Sequence, residues 1–265
     1  MADLGVTGQA TNAAARPWLE RTVLVTGGGR GIGSAYVHAF CDRGANVVIA
    51  DVAADEGEAL ARDLQAAGKR ASFANVDVTD AASVGTAVDA AGGTIDVLVN
   101  NAAVYMGLGR KQAFDEISPA DWDRVMAVNV RGPWECAKAV APGMRKQGWG
   151  RIVNVASAVA FAGGLGFAHY VTSKAAVVGL TRALARELGG SGVTVNAVAP
   201  GLVDNDASEA LNDDADVFDR AAALRAIPRG MVADDLVGAA LFLAGEDSDF
   251  ITGQVIVVDG GALMR

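Results

Sequence analysis

Cysteine and histidine are scarce in this sequence, with two of each among 265 residues. Cys41 and Cys136 both fall inside apolar helical patterns, which excludes a disulfide framework or a cysteine metal site. His38 and His169 come without clustered carboxylates, so no zinc site and no other metal is expected. Basic residues are also in deficit, 22 Lys and Arg against 31 Asp and Glu, giving a net charge of −9. Phosphate-rich surfaces select basic stripes, so nucleic acid and anionic membranes are excluded as partners and a small-molecule substrate is favoured. Long apolar runs are missing too: although 51% of the residues are hydrophobic, no segment reaches the roughly 18 uninterrupted apolar residues of a membrane helix. Residues 1–18 lack a cationic start followed by an apolar run, so they read as a flexible tail rather than a secretory leader. The expectation is a soluble cytoplasmic protein.

What the chain does have is alternation. Short β-branched runs at Thr22–Thr26, Asn46–Ala50, Ala71–Asn75, Val97–Asn100, Arg151–Val155, Val193–Val198 and Gln254–Val258 are separated by helical patterns. Those patterns cover Gly33–Arg43, Asp55–Ala67, Ala81–Ala90, Trp122–Lys146, Tyr170–Leu188 and Ala233–Ala244, with Gly68, Gly148 and Gly189 placed as stops. Strands apolar on both faces with helices between them predict one α/β domain over residues 19–265, a doubly wound parallel sheet of about seven strands covered on both sides. The longest irregular stretch, about 202–230, reads as a substrate-covering loop.

The first strand runs into Thr26-Gly27-Gly28-Gly29-Arg30-Gly31-Ile32-Gly33 and then a helix. Backbone N–H groups at a helix N-terminus favour anions, and glycines let a pyrophosphate approach them. Asp51 ends the second strand 18 residues after Gly33, near the roughly 20 expected of the acid that accepts from ribose hydroxyls. A carboxylate there repels a 2′-phosphate, so NAD is preferred over NADP; Arg30, whose guanidinium could reach such a phosphate, argues the other way.

Further on, Tyr170 and Lys174 stand four residues apart, with Ser157 thirteen residues before Tyr170. Residues i and i+4 share a helix face, so the Lys174 ammonium can lie beside the Tyr170 phenol and favour its ionised form. Tyr170 is thereby a candidate acid/base, and Ser157 a hydrogen-bond donor to a substrate oxygen.

Taken in order, these motifs resemble the short-chain dehydrogenase/reductase family over residues 20–265. The glycine loop, Asp77-Val78, Asn100-Asn101-Ala102-Ala103, Asn129, Ser157, Tyr170, Lys174, Pro200-Gly201, Ile251-Thr252-Gly253-Gln254 and Val258-Asp259-Gly260-Gly261 carry the resemblance. It implies a Rossmann-type fold and a catalytic set of Asn129, Ser157, Tyr170 and Lys174. Asn129 would hold a water that relays a proton from Lys174. It implies cofactor contacts from Gly27, Arg30, Gly31, Ile32, Gly33, Asp51, Asp77, Val78, Asn100, Tyr170, Lys174, Pro200 and Val203, with Lys174 on the nicotinamide ribose. It also implies a homotetramer built on Trp122–Lys146 and Tyr170–Leu188, with Leu263-Met264-Arg265 as a possible second contact. Two departures stand out: Ala103 replaces a usual glycine, and Asn205 replaces a threonine that bonds the nicotinamide carboxamide.

The segment Leu224-Arg225-Ala226-Ile227-Pro228-Arg229 resembles NAD-dependent dehydrogenases of aryl or other apolar secondary alcohols, and pyridoxal-type alcohol dehydrogenases. Val104, Tyr105, Met106, Val159, Phe161, Phe167, Leu202, Val203 and Phe218 then line the substrate pocket, whose apolar character suits an apolar, aryl or cyclic alcohol and its ketone. The acids Asp204, Asp206, Glu209, Asp213, Asp214 and Asp216 count against an anionic substrate. Competing readings are a 3-oxoacyl or polyol reductase of the same family and a non-catalytic nucleotide sensor.

Overall fold

The computed structural model describes residues 18–264 except 106, 107, 110, 213 and 215. Met106, Asp213, Arg265 and the tail before Trp18 therefore lie outside the described residues. Seven strands, β1 (Thr22–Thr26), β2 (Asn46–Asp51), β3 (Ala71–Asn75), β4 (Val97–Asn100), β5 (Gly150–Val155), β6 (Val193–Pro200) and β7 (Val255–Val258), form one parallel sheet in the order β3-β2-β1-β4-β5-β6-β7.

Alternate residues along each strand serve opposite faces of the sheet. Val23 and Val25 of β1, with Val47, Ile49 and Val97, pack against α1 (Gly31–Asp42), α2 (Ala54–Ala66) and α10 (Val237–Ala244). Leu24, Val48, Leu98 and Ile152 face α3 (Ala81–Ala90), α5 (Gly132–Gln147) and α7 (Ala168–Leu188). Both faces being covered explains why the strands read as continuous apolar runs.

Several expected boundaries are corrected. Trp18 is not tail: its ring packs at a tilt against Phe40 of α1, ring centres 5.4 Å apart, because a large aromatic gains more by covering the apolar helix face than by remaining solvated. The stretch expected as a helix over Trp122–Lys146 is helical from Pro119 to Gln147, but a π-turn over Ala127–Arg131 interrupts its α-helical bonding, dividing α4 (Pro119–Met126), capped by Ser118, from α5. α7 ends at Leu188 with Gly189 at its C-cap, where the stop was expected, but Gly189 stays right-handed and opens a 3-10 turn, so the left-handed exit falls on Gly192 at φ +73°. The stretch 202–230 carries two short helices, α8 (Asp206–Leu211) and α9 (Val217–Ala223), with Asn205 capping the first through a bond to the Ser208 N–H.

The chain order reverses between β1 and β4, and the crevice at their C-terminal ends is where such sheets bind ligands. Ile152, at the middle of the interior strand β5, is buried under the helices on that face of the sheet. Ile152→Ala is expected to cost about 2–5 kcal/mol of unfolding free energy, read as a lower urea midpoint; an unchanged midpoint would mean this layer is not close-packed.

Candidate functional site

The glycine loop after β1 is held open by its neighbours. Asn101, in the turn after β4, donates its side-chain amide to the carbonyls of Thr26 (3.1 Å) and Gly27 (2.9 Å), while the Thr26 hydroxyl accepts from the Asn101 and Ala102 N–H groups. A Cβ at Gly33 would stand 1.9 Å from the Gly27 carbonyl oxygen, so only glycine allows the helix to start this close to the strand. At Gly31, φ is +56° and nothing lies within 4 Å of a built Cβ, leaving open space in front of the α1 N-terminus. No side chain caps that terminus, so its first N–H groups face the space where an anion would sit. These features fit the pyrophosphate of a dinucleotide.

Asp51 is buried, and its oxygens accept from the N–H groups of Gly29 (2.9 Å) and Ala53 (3.0 Å). Arg30 leans toward Glu56, at 3.9 Å. Asp77 holds Thr79 through both its N–H and its hydroxyl, and Val78 is buried against Gly132. Asn100 points into the sheet's α5 side, donating to Asn154 Oδ1 (2.9 Å) and the Pro133 carbonyl.

One cavity of about 1010 Å³ opens from the glycine loop toward α8 and α9. Arg30, Gly31, Ile32, Gly33, Ser157, Tyr170, Lys174, Pro200 and Val203 all line it. Gly27, Asp51, Asp77, Val78, Asn100 and Asn129 do not line it. Around Tyr170 the wall is apolar, made by Tyr105, Val159, Phe167 and Leu211, which belong to one packed cluster with Leu108, Val125 and Val104. Of the expected pocket residues, Val104, Phe161 and Phe218 do not reach the cavity. Helix α9 presents Val217, Ala221 and the following Leu224 on one face, and Phe218 sits a helical step of about 100° round from them.

Helix α7 sets Tyr170 and Lys174 on its buried face. The Lys174 ammonium donates to the Val155 carbonyl at 2.8 Å, and burial lowers its pKa from 10.5 to about 8. Burial raises the Tyr170 phenol well above its ordinary value, helped by the nearby Tyr105 and opposed by a hydrogen bond with Ser157. The expected lowering of the phenol by Lys174 is therefore corrected for the protein alone: desolvation dominates, and the ammonium lies 5.7 Å from the ring centre. Asn129 sits in the π-turn, where its side chain accepts from the Val104 N–H (2.7 Å) and donates to Ser173 Oγ (3.0 Å). The same Ser173 hydroxyl donates to the Tyr170 carbonyl.

Several contributors escaped sequence reading. Lys111, Ser208, Leu211, Asn212 and Arg225 are among the residues that line the cavity, brought there by loop and short-helix packing that carries no periodic signal. Among the described acids of the 202–230 stretch only Asp206 lines it, so the expected acidic rim is reduced to one carboxylate. His169 is buried and His38 exposed, and neither lines the cavity.

Residues 27–262 match the family model described as enoyl-(acyl carrier protein) reductase. The chain is 42% identical over 246 residues to the (2S)-[(R)-hydroxy(phenyl)methyl]succinyl-CoA dehydrogenase subunit BbsD of Thauera aromatica, covering 91% of this chain and 96% of that protein. It is 37% identical over 249 residues to the 3-oxoacyl-[acyl-carrier-protein] reductase FabG of Chlamydia trachomatis, covering 92% and 97%. Among solved structures, a gluconate 5-dehydrogenase from Burkholderia cenocepacia in complex with NADP and tartrate superposes with a TM-score of 0.85 at 36% identity, covering 93% of this chain and 97% of that one.

The depressed Lys174 pKa has a sign that stability can report. Protonation is penalised in the folded state, fully so below pH 8, and the penalty fades as the pH rises from about 8 to 10.5. Relative to Lys174→Met, the unliganded wild type should gain up to about 3 kcal/mol across that window. Parallel denaturant titrations of the two proteins measure the difference, and a constant gap would show that Lys174 is not desolvated.

Proposed function

The chain belongs to the short-chain dehydrogenase/reductase family of oxidoreductases, and on that footing we propose that it interconverts an apolar secondary alcohol and its ketone with NAD(H). The observation that carries the reading is the convergence of Ser157, Tyr170 and Lys174 on one apolar-walled cavity continuous with the open α1 N-terminus. In this reading the nicotinamide, when bound, supplies or accepts the hydride. The chain's own residues handle the proton and the oxygen.

Tyr170 removes the hydroxyl proton in oxidation and returns one to the carbonyl oxygen in reduction. Ser157, already hydrogen-bonded to the phenol, orients that oxygen and stabilises the charge it gains. Lys174 uses one N–H on Val155 and has two more to offer the ribose hydroxyls and the ionising phenol. Asn129 fixes the floor beneath Tyr170 through Ser173, and a water held near it would carry the proton outward. Gly27 to Gly33 with Asn101 would hold the pyrophosphate, Asp51 the adenosine ribose, Asp77 and Val78 the adenine, and Pro200 and Val203 the nicotinamide end.

NAD is preferred on charge. Asp51 is buried beside Gly29, and Glu56 faces the one guanidinium in the loop, so a 2′-phosphate would meet two carboxylates. Similarity to FabG favours a second reading, a 3-oxoacyl reductase using NADPH. Assembly as a cytoplasmic homotetramer belongs to the same proposal, with the half-exposed Trp122 and Trp134 of α4 and α5 as its contact surface.

The test follows the near-ultraviolet absorbance of reduced nicotinamide over a panel of secondary alcohols and ketones. Turnover with NAD and apolar alcohols is expected, and Tyr170→Phe should lower kcat by a factor of about 10² to 10⁴ while nucleotide binding persists. Turnover with NADP alone would overturn the cofactor assignment; 3-oxoacyl thioesters as the sole substrates would favour the second reading. Full activity in Tyr170→Phe would remove the phenol from the chemistry.

A further inference from the structure

Lys111 is the unabsorbed charge of the substrate half of the cavity. It comes from the loop after β4, lines the cavity, and lies on the side away from the glycine loop, where the walls are otherwise apolar. Its ammonium sits 5.7 Å from the centre of the Phe167 ring, whose own centre is 6.0 Å from that of Tyr170. One aromatic ring thus separates Lys111 from the phenol that handles the reacting oxygen.

The position is built rather than incidental. The Gln112 N–H donates to the Gly166 carbonyl at 2.8 Å, which anchors the loop to the turn before α7. Gly166, at φ +84°, brings its backbone so close that a Cβ there would stand 2.5 Å from Lys111 Cβ, so the lysine stem crosses where only glycine leaves room. At the other end the ammonium donates to Asn212 Oδ1 at 2.7 Å, and that amide is itself fixed by donating Nδ2 to the Ser208 carbonyl at 2.7 Å.

The partner of the ammonium is thus a neutral amide. Among the described residues no carboxylate pairs with it: Asp214, which feels its field, is held by Arg220, and Asp259, also on the cavity wall, is spent on the Gly261 and Leu263 N–H groups. The remaining acid on the wall, Asp206, stands at the opposite end of α8 from Asn212.

We propose that Lys111 is a specificity residue that binds a carboxylate or comparable anionic group on the substrate, the alcohol lying at Tyr170 and an aryl or alkyl segment between them along Tyr105, Phe167 and Leu211. The inference rests on the alcohol dehydrogenase reading above and narrows it from apolar alcohols to amphipathic hydroxy or oxo acids. Lys111 lines the cavity at its solvent-exposed side, where a charge-assisted hydrogen bond gives discrimination of about tenfold.

The test compares aryl methyl carbinols that carry either a methyl or a carboxylate at the para position, together with the phenylacetate homologue that carries its carboxylate one carbon further out. Wild type should show a kcat/KM at least tenfold higher for one of the carboxylates than for the methyl compound. In Lys111→Met that advantage should disappear through KM, with kcat and the methyl compound little changed, and Lys111→Arg should restore part of it. Lys111→Glu should invert the preference. Equal use of charged and neutral carbinols by wild type, or a preference that survives Lys111→Met, overturns the proposal while leaving the alcohol dehydrogenase reading intact. Failure to turn over any carbinol or its ketone sinks that reading, and this inference with it.

Discussion

The structure turns on keeping a lysine ammonium and a tyrosine phenol out of water together. Burial disfavours the charged form of each, lowering Lys174 and raising Tyr170, so the phenol is held neutral while the ammonium gives up its proton more readily than an exposed lysine. Such a pair is tolerated only where its remaining hydrogen bonds are supplied. The Val155 carbonyl at the end of β5 supplies one for the ammonium, and Ser157, two residues on, supplies one for the phenol. The strand and the helix that crosses it are thereby fixed to each other at the point of chemistry.

A second layer secures that point from below. The π-turn between α4 and α5 puts Asn129 where its amide reaches both the Val104 backbone and Ser173. Through Ser173 the contact passes to the Tyr170 carbonyl. One side chain therefore ties the loop after β4, the helix carrying the phenol and the break between two helices. A continuous α-helix would rotate Asn129 away from this junction, which gives the irregular turn a positional reason.

The sheet, its strand order at the crevice and the glycine loop were legible because each leaves a periodic or spaced signal. Both-face burial gives continuous apolar runs; Gly27 and Gly33 are required by close backbone approach and Gly31 by its φ of +56°. Ser157, Tyr170 and Lys174 were legible for a similar reason, since one helix face and one strand end bring them together. The π-turn had a signal that went unread: Pro133 cannot donate to the Asn129 carbonyl four residues earlier and its ring crowds it, and the tertiary bonds of the Asn129 side chain hold the resulting turn. The short helices of the 202–230 stretch were hidden by an acidic composition that reads as solvated loop, and Trp18 by its position at the edge of a polar tail. Lys111 was invisible because its reach depends on Gly166, 55 residues away in sequence.

Charge is sorted in a way the net value of −9 conceals. The cavity wall carries Arg30, Lys111, Lys174 and Arg225 against Asp206 and Asp259. Asp259 is neutralised by backbone N–H groups, and Arg225 is committed to the Arg229 and Leu202 carbonyls. Arg30 belongs to the glycine loop and Lys174 to the phenol, so Lys111 is the cation left over at the substrate end. An acidic exterior with a cation-lined interior repels anions at long range, and salt screens that repulsion over about 10 Å. Within the cavity the local cations dominate, because they lie at contact distance from a bound anion while the exterior acids are farther away and screened. An anionic molecule is thus favoured by contact rather than by attraction from a distance, and selection among anions falls to the shape of the apolar wall between Tyr170 and Lys111.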